Sequence, residues 1–152
     1  EEWRRLAFGC RTLALLALDL GEVTVGVAVS DPLGMIARPL LTLRRIGPRR
    51  DLRAIAELVR EHEVSAIVVG LPLRLSGEAG AAAEKAVAFS RALGEAIAVP
   101  IHTWDERLTT VQAERSLLEA DLGRRKRREV INQVAAAIIL QSWLDSRGGT
   151  LP

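Results

Sequence analysis

Cysteine is nearly absent from this chain of 152 residues. Cys10 stands alone, which excludes a disulfide framework and any multi-cysteine zinc site. Histidine is scarce too, at two residues, and this argues against a histidine-built metal centre. Any metal would then be a hard cation on carboxylate oxygens, Mg²⁺ or Mn²⁺. Long apolar runs are also missing: none approaches the roughly 20 residues that span a bilayer, so no membrane is expected. The opening "EEWRRLAFGCRTLALLAL" has arginines ahead of an apolar patch, as a signal peptide does. The patch flows into a patterned strand with no small-residue cleavage site, however, and reads as structure. A start at Glu1 rather than Met suggests a trimmed chain, and a cytoplasmic location is expected.

What is present is a globular composition, 49% hydrophobic and 26% charged. It is long enough to bury a core as a single domain over residues 1–152. Net charge is only +2, yet every one of the 21 basic residues except Lys85 and Lys126 is arginine. The arginines cluster. "LRRIGPRRDLR" holds Arg44, Arg45, Arg49, Arg50 and Arg53, and "GRRKRRE" holds Arg124, Arg125, Lys126, Arg127 and Arg128. The planar arginine fork suits phosphate, so two such clusters on a near-neutral chain point to nucleic acid. The plain alternative is a set of solvated helix starts and loops. The second cluster, being denser, is the stronger candidate.

The first half reads as strands. Leu13–Leu20 and Val23–Ser30 are apolar, β-branched runs split by a short turn, and Ile36–Leu43 follows the turn signal "DPLG". Such short connections predict an antiparallel meander. From Pro48 the apolar period becomes helical. Ser65–Pro72 reads as a strand buried on both faces, Ala81–Ala96 as an alanine-rich helix, and "AVPIHTW" as a further strand ending at Asp105 and Glu106. Thr109 or Thr110 would cap the next helix, with Glu114 in range of a capping box. A last helix runs from about Arg128 to Ser146. The order βββαβαβαα predicts a mixed sheet with helices on its faces.

One residue resists this plain reading. Asp19 sits within an apolar strand, and burying an unpaired charge is expensive. A turn-capping role ahead of Gly21 is the structural alternative to a ligand role.

The strand order, with an acid in the first strand, resembles the ribonuclease H-like arrangement. Four segments in sequence resemble the YqgF/RuvX family: "ALDLGEVTVGVAVSDPLGMIARPL", "IVVGLPLRLSGEAG", "WDERLTTVQAE" and "VAAAIILQSWLD". The likeness covers about Leu13 to Ser146. It implies a five-stranded ribonuclease H-like sheet, three antiparallel strands and then parallel ones, and a metal-dependent phosphodiesterase. Its substrate would be a four-way DNA junction or precursor ribosomal RNA. Two divalent ions would activate water and stabilise the leaving oxygen, and Asp19 would be paired with a cation rather than a side chain. Junction resolution would call for a symmetric homodimer; RNA trimming would not. Glu106 falls at the family's second acidic position. Asp105 is held in reserve, because neighbouring strand residues face opposite ways. Arg107 would steady an acid, touch phosphate, or form a surface ion pair. Residues Arg124 to Arg128 would contact phosphates without reading sequence.

The departure lies at the family's third acid, where this chain has Asn132. Its amide oxygen still ligates a hard cation, but the site loses one negative charge. Three explanations stand: an engineered Asp→Asn change, a nucleic-acid-binding factor that does not cut, or natural variation in which Glu129, at i−3, takes over and Mn²⁺ is preferred. Gly70 and Pro72 suit a tight turn, His102 a core or surface position rather than a ligand, and Trp143 an apolar helix face. A kinase-like ATPase reading of "LDLGEVTVGVAV" fails for want of a second domain and phosphate loop.

Overall fold

The computed structural model describes residues 14–73, 76–108 and 124–147, and only the backbone for 124–129. Its elements are β1 (Leu15–Leu20), β2 (Thr24–Ser30), β3 (Ala37–Arg44), α1 (Pro48–Glu61), β4 (Ala66–Leu71), α2 (Ala81–Ala96), β5 (Ile101–Asp105), a 3₁₀ turn (Glu106–Leu108) and α3 (Arg124–Ser146). The sheet runs β3-β2-β1-β4-β5. The first three strands pair antiparallel, while β1 with β4 and β4 with β5 pair parallel. This is the mixed five-stranded sheet expected from the sequence.

Local chemistry sets the boundaries. Asp31 turns the chain between β2 and β3 by accepting the N–H groups of Met35 and Ile36. Pro48 opens α1, and the Asp51 carboxylate three residues on accepts the N–H groups of Ile46 and Gly47, tying off orphan donors at the helix start. Strand β5 begins three residues later than "AVPIHTW" suggests. Pro100 has no N–H to give a ladder, and its carbonyl instead takes the first bond, from Ile67. Helix α3 starts at Arg124, nearly two turns before the apolar period reaches Val130, because arginine and lysine propagate a helix well. The N-terminal segment through Leu13, and the helix expected after Thr109 and Thr110, lie outside the described residues.

The two faces of the sheet are built differently. Against α1 and α2 lie Leu16, Leu18, Val25, Val27, Val29, Ile67 and Val69, packed on Ile55, Leu58, Phe89 and Leu93. The α3 face carries Leu15, Ala17, Ala28, Ala66 and Val68 against Ala135, Ala136, Ile139 and Leu140. Small residues on both partners of this second layer let α3 lie close on the sheet.

Candidate active site

Asp19 is the last residue but one of β1 and is only 5% exposed. Alternation puts it on the α3 face with Leu15 and Ala17. Directly across, its partner on β2 is Gly26. A Cβ at Gly26 would collide with the backbone carbonyl of Asn132 and come within 2.9 Å of the Asn132 Cβ. Glycine here is therefore what lets α3 touch the strand, and it brings Asn132 alongside Asp19. The Asn132 Nδ2 donates to Thr24 Oγ1 at 2.6 Å. That bond fixes the side chain and leaves the amide oxygen available for another contact.

Glu106 reaches the same place from the other side. It opens the 3₁₀ turn after β5 rather than ending the strand. Its Oε1 lies 2.8 Å from where a Cβ on Gly70 would sit, beside Ile139 Cδ1 at 2.7 Å. The β1–β4 register pairs Leu18 with Val69, so one step on Gly70 lies beside Asp19. Asp19, Glu106 and Asn132, from three separate elements, thus converge on the C-terminal end of β1 with a glycine on either flank.

Asp105 is engaged elsewhere. The Arg107 guanidinium meets its carboxylate at 2.6 Å, Nε donates to both oxygens, and the Arg107 N–H donates to Oδ1. These bonds, the side-chain ones foremost, hold the Asp105 carboxyl below the usual carboxylate range. Of the roles weighed for Arg107, ion pairing is the one seen, with the side chain 35% exposed and a Cβ added at Gly77 coming within 3.3 Å of its guanidinium. His102 stacks on Trp143 at 4.7 Å, with Trp104 edge-on to the same indole. Burial, and then the charge of Arg147, lowers the His102 pKa, as suits a packed imidazole.

Arg124, Arg125, Lys126, Arg127 and Arg128 form the first turns of α3, just upstream of Asn132. Their side chains, and those of Glu129, Thr109, Thr110 and Glu114, lie outside the described residues. Thr24 and Gly26 were missed in the sequence. The signal available was a glycine inside an otherwise apolar strand, which marks a close backbone approach.

Among the described residues no three His, Cys, Asp or Glu side chains group as metal ligands. The donors that do converge, two carboxylates and an amide oxygen, are all hard oxygens. They suit Mg²⁺ or Mn²⁺ with one negative charge fewer than three acids would give.

The RuvX family, described as a Holliday junction resolvase, matches residues 13–146. A Myxococcus xanthus protein named "Putative pre-16S rRNA nuclease" is 51% identical over 131 residues, covering 86% of this chain and 87% of that one. A protein of the same name from Moorella thermoacetica is 52% identical over 136 residues, covering 90% and 97%. In three dimensions the chain resembles Thermus thermophilus RuvC bound to a Holliday junction substrate, with a TM-score of 0.60 at 18% identity over 92% of this chain and 99% of that one. Identity that low speaks for the fold alone. The sequence match over most of its length says more: the chain belongs to the RuvX nuclease family.

Proposed function

We propose that this chain, as one nuclease domain, hydrolyses phosphodiester bonds in structured nucleic acid and that Asp19, Glu106 and Asn132 form its active site. The convergence of these three side chains around Gly26 and Gly70 carries the reading. Precursor ribosomal RNA is the favoured substrate, on the names of relatives about half identical. Branched DNA, the substrate in the family's description, is the second, and would ask for a homodimer with two sites.

Asp19 and Glu106 would hold Mg²⁺ or Mn²⁺ through their carboxylates and Asn132 through its amide oxygen; divalent ions bound there activate water and stabilise a leaving oxygen. The protein's own part is positional. Asp19 is held, 5% exposed, at the end of β1 opposite Gly26, where its carboxylate would be a ready ligand. Thr24 fixes the Asn132 rotamer, as an outer hydrogen bond does for a ligand. Glu106 sits on a short turn at the sheet end, where substrate can approach. The basic start of α3, from Arg124 to Arg128, would draw phosphates toward this end.

Asn132 also supports a second reading, a nucleic-acid-binding factor that does not cut. Incubation with labelled precursor ribosomal RNA, a mobile four-way DNA junction and single strands, in Mg²⁺, Mn²⁺ or EDTA, separates the two. Cleavage abolished by EDTA and by Asp19→Ala is expected. Cleavage only after Asn132→Asp would mean a site disabled at one ligand. Binding without cutting by either protein would replace the nuclease reading with the binding factor.

A further inference from the structure

The first arginine cluster has a position that the sequence did not reveal. Strand β3 ends at Arg44, which pairs directly with Thr24, the residue that anchors Asn132. Asp19 lies one strand further over, opposite Gly26. At about 4.8 Å per strand and 3.3 Å per residue, Arg44 is about 12 Å from Asp19, on the same end of the sheet. Helix α1 begins at that end as well, on the opposite face of the sheet from Asp19, and Arg49, Arg50 and Arg53 lie within its first six residues, so the four arginines wrap around this end of the sheet.

The five arginines divide into one with a structural task and four without. Arg45 is half-buried. It donates to the Gly21 carbonyl at 3.0 Å, lies 3.7 Å from the Asp51 carboxylate and covers the Phe89 ring. Arg44, Arg49, Arg50 and Arg53 are all exposed, and among the described residues no carboxylate pairs with any of them. Their placement has a cost. Positive charge in the first turn of a helix opposes its dipole, and Arg49 and Arg53, four apart, repel. Arg49 and Arg50 share that first turn with one acid, Asp51, which is engaged by Arg45 and by the Ile46 and Gly47 N–H groups, so the excess positive charge of this surface points to a partner outside the protein.

The surface between the charges is apolar apart from the buried Asp51, which also lines it. Ile46 and Val23 are 66% and 59% exposed, and a cleft of about 230 Å³ opens between Arg44 and Arg50 over Val25, Leu43 and Ile55. Arginines around exposed aliphatic groups suit a strand whose phosphates pair with guanidinium forks while sugars or unstacked bases lie on the apolar patches.

We propose that Arg44, Arg49, Arg50 and Arg53 form a second phosphate-binding surface that holds the single-stranded flank of the nucleic-acid substrate a few nucleotides from the scissile bond. The inference rests on the nuclease reading but concerns grip rather than cutting, so it is tested without divalent metal. Fluorescence anisotropy of a labelled RNA stem-loop with single-stranded flanks, in EDTA across a salt series, gives the slope of log K against log salt. Each single-strand phosphate contact contributes about 0.7 to that slope.

Changing all four arginines to glutamine should lower the slope by up to about 3 and weaken binding about 100-fold at physiological salt. The four-lysine variant should keep most of the slope, and also guards against loss of fold. A control carrying Arg38→Gln, Arg60→Gln, Lys85→Gln and Arg91→Gln, exposed cations away from this surface, changes net charge equally and should leave the slope near wild type. The proposal is overturned if the glutamine variant, folded by circular dichroism, binds like wild type, or if the control loses as much slope. Wild-type protein that fails to bind in any salt would overturn the nuclease reading along with it.

Discussion

The two faces of the sheet divide the work of the molecule. The face under α1 and α2 is packed with leucine, isoleucine, valine and phenylalanine and holds the fold together through buried apolar area. The α3 face uses alanine and glycine where its counterpart uses leucine and valine. It buries less per residue, and in exchange the backbone of α3 comes close enough to β2 to set Asn132 beside Asp19. Bulk builds the scaffold, and small side chains position the proposed site.

Breaking the small face should do the most damage. Gly26→Val would force the β-branched side chain into the Asn132 backbone, costing about 3 kcal/mol as overpacking does and abolishing cleavage. Guanidinium unfolding and a turnover assay check the two halves of that statement separately. Leu18→Ala, one residue before Asp19 but on the bulky face, should cost stability similarly, about 3 kcal/mol as a core cavity. Its rate per folded molecule should stay near wild type, and that separation is the sharpest form of the comparison. Gly70→Ala is milder. Its methyl would press on Glu106 and Ile139, lowering stability by about 1 to 2 kcal/mol and, with Glu106 in the proposed role, cleavage by about tenfold.

The smallest effects are electrostatic and appear in melting temperature against pH. The Asp105 pKa is lowered in the folded state, so its contribution is present above about pH 4 and is lost as pH falls through the folded value. Asp105→Asn should flatten that acid limb. His102 is also lowered, but for a base this means the unfolded chain takes up the proton first. Stability should decline as pH drops from about 6.5 toward the folded value, and His102→Phe should remove that decline.

Much of the fold could be read from the sequence because period and punctuation agree there. The β-branched run from Val23 to Ser30, Pro48 at a helix start and the apolar run stopping at Pro72 each have one physical interpretation. The alanine-rich stretch predicts a helix with the bounds it has, Ala81–Ala96. The β5 start was missed because a proline inside an apolar run looks like strand until the donor it lacks is considered. The start of α3 was missed because charged helix formers show no apolar period. For the site, Asp19 stood out as a charge in the wrong surroundings, whereas the position of Glu106 came from resemblance. Nothing local to residue 132 foretells that its amide bonds Thr24, 108 residues away. The placement of Arg44 beside that threonine is equally a matter of register, which only strand pairing reveals.

The most direct measurement is a calorimetric titration of Mn²⁺ into the wild-type protein, the Asn132→Asp variant, and a double variant that adds Asp19→Asn. If Asp19 and Asn132 face one cation, restoring a charge at 132 should tighten binding at least about tenfold, the scale of a unit charge a few ångströms from an ion in a partly screened site. That gain should vanish once Asp19 is neutral. An affinity unmoved by Asn132→Asp, or a gain that survives the loss of Asp19, would show that the two residues do not share a site.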